Sequence, residues 1–213
     1  MTLPTITHHI PDHLLAACAA GSLPDAFAMV VASHVSMCEA CRAGLEAHQL
    51  AGGIVLEETP ATALSDSLKP KVMARLDQSF RPEPVYERRG IFPAPVNAAL
   101  RGREPAWKKL GMGVRQSILS ADEDGSVRLL WIPPGQHVPD HGHNGLELTL
   151  VLQGSFSDET GRYGVGDVEV GDEALKHTPV AGPDAPCICL AATDAPLRFS
   201  ALVPRLLQPF FRI

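Results

Sequence analysis

The segment from Gly135 to Gly154 constrains this chain more than any other. Two histidines, His141 and His143, stand two residues apart, so on a strand their side chains share a face. Glu147 follows an Asn144-Gly145 turn and opens an apolar run, and the turn can bring its carboxylate back towards the histidines. His177 lies beyond a second hairpin region, Gly164 to Asp167, and can complete a set of three histidines and one glutamate. Such a site inside a barrel suits zinc, manganese, iron or nickel. The plainer alternative is surface histidines around a turn. His137, just ahead of Pro139, reads as a loop residue.

Periodicity divides the chain. From about Trp107 onward, short apolar runs at 128–132, 146–152 and 188–191 alternate with turn signals at Asp124-Gly125, Pro134-Gly135 and Asn144-Gly145. This predicts an all-β barrel or sandwich. Residues 11–80 read instead as helices. Pro11-Asp12 opens one that Gly21 stops, and Pro24-Asp25 opens a second carrying Phe27, Val30 and Val31. A third runs from Glu39 to the Gly52-Gly53 pair or beyond it. A fourth, capped by Ser65, Asp66 or Ser67, places Leu68, Val72, Met73, Leu76 and Phe80 on one stripe, either as core or as a groove-binding arm. Five prolines within 81–105 predict an extended linker. The expected fold is multidomain, α then β: helical residues 1–80, linker 81–105 and barrel 106–213.

A second constellation lies in the helical part. His34-Val-Ser-Met-Cys38-Glu-Ala-Cys41 has two cysteines that can reach one ion where a chain turns into a helix, with a histidine at the end of the preceding helix. Tetrahedral zinc needs four nitrogen or sulfur ligands. His8, His9 and His13 are all available for the fourth. A metal clip would stabilise helices too few to build a large core alone. A buried cysteine pair beside a solvated histidine is the alternative; a thioredoxin-like redox pair lacks the βαβ context it needs. Cys187 and Cys189 face the same way on a strand, as small core residues or as oxidant-sensitive thiols.

With 213 residues, 45% of them apolar, the chain is long enough for one large domain or two small ones. The weakly polar stretch from Cys18 to Val35 is broken by Gly21, Pro24, Asp25 and His34 and cannot span a bilayer. The first eleven residues lack the basic and apolar regions of a signal peptide, so a cytoplasmic location with reduced thiols is expected. The net charge of −6 argues against nonspecific nucleic-acid binding. Residues 1–80 hold four basic and eight acidic side chains, whereas 81–110 hold seven and three. An acidic helical module suits a basic partner surface, or simple solubility.

The pattern G-x5-H-x-H-x3-E-x6-G from Gly135 to Gly154 resembles the cupin signature, which implies a double-stranded β-helix, or jelly-roll, barrel. Gly166 and His177 match the second cupin signature, although Asp172, Ala174 and Ala181 stand where it has Pro, Gly and Asn. The histidine upstream followed by H-x3-C-x2-C resembles the zinc-binding anti-sigma domain, which selects His9 alongside His34, Cys38 and Cys41. The two in this order resemble the ChrR family of anti-sigma factors. That resemblance implies zinc in the helical domain and zinc or another divalent metal (manganese, iron or nickel) at His141, His143, Glu147 and His177. It further implies one-to-one inhibition of an extracytoplasmic-function (group IV) sigma factor of the RpoE, or sigma-E, type. Release would follow singlet oxygen or related oxidative stress, with no direct DNA contact, no membrane and no catalysis. The rival readings are a cupin metalloenzyme of the dioxygenase or isomerase kind with an accessory zinc domain, and a zinc-dependent DNA-binding regulator.

Overall fold

The computed structural model describes residues 5–76, 84–142, 144–195 and 198–199. Five helices come first: α1 (Asp12–Ala19), α2 (Asp25–Val35), α3 (Glu39–Glu58), α4 (Leu68–Leu76) and α5 (Ala94–Ala99). The predicted starts hold at Asp12 and Asp25, each just after a proline whose missing N–H a helix does not need there. Gly21 adopts φ +66° just beyond α1, a conformation that favours glycine, and the chain reverses.

α3 runs straight through Gly52-Gly53. Each internal glycine costs a helix about 1 kcal/mol relative to alanine, and neither is required by a close neighbour. α1 packs on the first half of α3, where Leu15 approaches Gly44 and Asp12 accepts a hydrogen bond from the His48 ring at 2.9 Å. Past His48 that support ends. Every residue from Gln49 to Leu76 is exposed, including Leu50, Ile54, Val55, Leu56, Leu64, Val72 and Leu76. Phe80, the last member of the predicted stripe, lies outside the described residues.

The second half is β. A six-stranded antiparallel sheet has the order β1-β2-β3-β11-β5-β8. Its strands are β1 (Lys108–Gly111), β2 (Val114–Ala121), β3 (Ser126–Ile132), β5 (Glu147–Gln153), β8 (Val168–Gly171) and β11 (Cys187–Thr193). Two three-stranded sheets accompany it. One joins β10 (Val180–Ala181), β6 (Phe156–Ser157) and β7 (Arg162–Tyr163); the other joins β12 (Arg198–Phe199), β4 (His141–Gly142) and β9 (Lys176–His177). The order of strands is that of a chain winding through two layers, as a jelly roll requires.

Both faces of the large sheet are covered, so β5 and β11 read as near-continuous apolar runs, broken in β5 by Thr149, instead of alternating ones. On the inner face Ile132, Val151, Cys187 and Cys189 meet Phe156, Tyr163 and Ala181. On the outer face Val127, Leu129, Leu148, Leu150, Leu190 and Ala192 join a core with Phe27, Val30 and Val31 of α2. Burying such side chains stabilises by about 1.5–3 kcal/mol each. The helices and the barrel therefore share one continuous core.

The proline-rich segment departs from the expected extended form. Pro93 is the N-cap of α5 and Pro95 falls in its first turn, so neither blocks the helix. Val96 and Leu100 are buried, and α5 packs on α2. Proline acts here as a helix starter, and the segment closes over α2.

Candidate metal centres

His9, His34, Cys38 and Cys41 come together from three pieces of chain. His9 precedes α1, His34 sits in the last turn of α2, Cys38 is the N-cap of α3 and Cys41 lies in its first turn. The turn between α2 and α3 is tight because the backbone N–H groups of Met37 and Cys38 both donate to the His34 carbonyl at 2.8 Å. The four side chains offer ligand atoms that all lie within 4.8 Å of one another. His9 Nδ1 is 3.3 Å from Cys38 Sγ and 3.6 Å from Cys41 Sγ. A tetrahedral ion with bonds of about 2.0–2.3 Å spaces its ligands about 3.3–3.8 Å apart.

His34 supplies the test of fit. Its ring is fully buried, and Nδ1 donates to the Gly166 carbonyl at 2.9 Å. A carbonyl only accepts, so Nδ1 carries the proton and Nε2 holds a bare lone pair. That Nε2 is buried without a hydrogen-bond partner. An orphaned nitrogen facing two thiols is what a metal ligand looks like when its other nitrogen is fixed by a carbonyl. Burial lowers the His34 pKa to about 4, which keeps the ring neutral. Burial also pushes the Cys41 thiol up to about 11, so it keeps its proton at neutral pH until a metal displaces it. The start of α3 presents its positive end to both sulfurs and favours thiolates once formed. These four residues fit a metal ion.

The other upstream histidines do not join this group. His13 is exposed on α1. His8 packs its ring on Tyr163 at 4.4 Å, with Nδ1 3.5 Å from Asp167.

In the barrel, His177 is buried on β9 and faces two carboxylates that the sequence did not single out. Its Nδ1 lies 2.6 Å from Asp158 Oδ2 and 3.1 Å from Glu169 Oε1, and these three residues also lie close enough to hold an ion. Burial alone would lower the His177 pKa, but the Glu169 and Asp158 carboxylates outweigh it and hold it at about 9. Burial raises Glu169 to about 7. For Asp158, hydrogen bonds from Glu169, Thr160 and His177 overcome burial and hold the carboxyl low.

His141 on β4 pairs directly opposite His177 in the strand register. Glu147 opens β5, where its Oε1 accepts from the Thr149 hydroxyl at 2.9 Å. It is not a member of the Asp158, Glu169 and His177 group. His143 lies outside the described residues, as does the side chain of His141. The inner face also buries Arg128, which donates to Gln116 at 3.2 Å and Ser126 at 2.6 Å. Burial lowers its pKa and the neighbouring Glu147 opposes that.

Comparison with known proteins turns this geometry into a family. A family model described as the ChrR cupin-like domain matches residues 97–196. Over 212 residues the chain is 54% identical to the anti-sigma-E factor ChrR of Cereibacter sphaeroides, covering 98% of this chain and 100% of that protein. The chain belongs to the ChrR family of anti-sigma factors. A crystal structure of Rhodobacter sphaeroides SigE in complex with the anti-sigma ChrR matches with a TM-score of 0.80. Its identity is 51%, over 89% of this chain and 100% of that one.

Membership in the ChrR family agrees with helices followed by a cupin barrel. The buried carboxylates at 158 and 169 left one faint mark in the sequence: Glu169 is a charged residue inside the apolar strand 168–171, on the face opposite Val168. Asp158 left none, because its loop reaches His177 only through the fold. Among the described residues no helix is long and apolar enough to cross a membrane.

Proposed function

We propose that this ChrR-family chain is a cytoplasmic anti-sigma factor that binds one extracytoplasmic-function sigma factor of the sigma-E type, one to one, and keeps it from RNA polymerase. Zinc at His9, His34, Cys38 and Cys41 clips α1, α2 and α3 into a rigid base, and two thiolates with two imidazoles are a ligand set zinc favours. Residues 1–80 form the capture module and 106–213 the cupin module that responds to an oxidative signal such as singlet oxygen. The cupin takes a divalent metal through His141, His143, Glu147 and His177 and performs no turnover.

The observation that carries this reading is the unpacked arm from Gln49 to Leu76. Its apolar side chains, among them Leu50, Ile54, Val55, Leu68, Val72 and Leu76, are exposed among the described residues. A monomer rarely leaves so much apolar surface open unless a partner covers it. A solved complex of a relative with SigE supplies the class of partner.

The test is co-expression of the full chain with such a sigma factor, followed by stoichiometry, zinc content and transcription by the sigma-containing polymerase. A one-to-one, zinc-containing complex that silences transcription is expected. A folded, zinc-loaded chain that forms no complex contradicts the reading. For the cupin, oxygen consumption or isomerisation of a small substrate by the purified chain would contradict the non-catalytic assignment.

A further inference from the structure

The ligands of the N-terminal centre are held in part by the barrel. His34 Nδ1 donates to the carbonyl of Gly166, which belongs to the turn entering β8. The same turn grips the segment just ahead of His9. Asp167 Oδ1 accepts from the backbone N–H of Thr7 at 2.7 Å and of His8 at 2.8 Å. Its Oδ2 accepts from the Gly164 N–H at 2.8 Å, which closes the turn. The Val168 N–H donates to the His8 carbonyl at 3.2 Å.

Packing reinforces these bonds. Gly166 has φ +93°, and a Cβ there would come within 2.6 Å of Ile6, so the N-terminal segment lies directly on the turn. Hydrogen bonds from the three backbone N–H groups overcome burial and keep the Asp167 carboxyl below its ordinary pKa. Three backbone donors on one buried carboxylate make a rigid clamp.

We propose that the cupin turn Gly164–Val168 is part of the N-terminal metal centre, with the Gly166 carbonyl orienting His34 and Asp167 positioning His9 through its two preceding residues. Residues so far apart in sequence act here as second-layer supports of a metal site that is otherwise built from the first 41 positions. The turn is also the start of β8, whose Glu169 faces His177 on the inner side. One short stretch of backbone thus touches both clusters. This proposal rests on the metal-binding reading of His9, His34, Cys38 and Cys41.

Cobalt(II) tests it in the full chain, because a thiolate-to-cobalt charge-transfer band reads only the cysteine-containing centre. Asp167→Ala removes the clamp. Asp167→Asn keeps an Oδ1 that can still accept from Thr7 and His8. Ile132→Ala, in the inner core and a partner in none of the clamp's hydrogen bonds, lowers stability without removing one of them. Second-layer losses weaken metal binding about 10–100-fold. The expected result is a loss of that size in Asp167→Ala, recovery of most of it in Asp167→Asn, and wild-type affinity in Ile132→Ala. Wild-type affinity in Asp167→Ala overturns the proposal, and so does an equal loss in Asp167→Ala and Ile132→Ala. A wild-type chain with no charge-transfer band overturns the metal-binding reading itself, and the proposal with it.

Discussion

Two stretches of the helical half are built from similar material and end in opposite situations. In α2, Phe27, Val30 and Val31 are almost wholly buried against the barrel sheet. From Gln49 to Leu76, leucines, isoleucine and valines of comparable size are all exposed. The difference does not lie in composition but in what each segment has to lean on. α2 is fixed at its end by the His34 and Cys38 turn and lies on an apolar sheet face. The second half of α3 projects past α1, and every residue of α4 is exposed. On the proposed reading, stability and binding fall to different residues of one helical module, which would let the binding surface change without unfolding the base.

Breaking the clip should have the largest effect. Cys38→Ser with Cys41→Ser, or stripping the metal with a chelator, removes a contribution of about 10–16 kcal/mol of apparent binding free energy. Far-UV circular dichroism should report loss of helix, and partner binding should go with it. Retained helicity and binding in the double variant would mean the clip is dispensable.

Next comes the buried stripe. Phe27→Ala should cost about 3–5 kcal/mol in urea denaturation. Because α2 covers the outer face of the sheet, barrel and helices should lose stability together. A β signal that melts at an unchanged midpoint would show that the sheet does not depend on α2.

The exposed arm should behave in the reverse manner. Val72→Asp and Leu76→Asp should each weaken binding to the sigma factor by about 2 kcal/mol or more, roughly 30-fold. Stability should stay within about 0.5 kcal/mol of the parent, as for surface changes elsewhere. Intact binding in both variants would remove α4 from the interface.

Much of this was legible in the sequence where the information is local. His34, Cys38 and Cys41 meet because a helix end, a short turn and a helix start place them there, and spacing alone encodes that. The strands at 126–132, 147–153 and 187–193 were marked by apolar runs between turns. Long-range geometry was not legible. Nothing near Gly166 announces that its carbonyl meets His34, and nothing near Asp158 announces His177. Gly52-Gly53 left the end of α3 open, and the prolines at 93 and 95 misled. Two glycines proved affordable inside a long helix, and two prolines started a helix where an extended linker was expected.

The central claim is that a sigma factor covers the exposed residues 49–76. Hydrogen–deuterium exchange on the full chain, alone and in complex with the sigma factor, tests it most directly. The account predicts fast exchange across 49–76 in the free chain and strong protection there in the complex, with α1 and α2 protected in both. A stable complex in which 49–76 exchange as fast as in the free protein would contradict it.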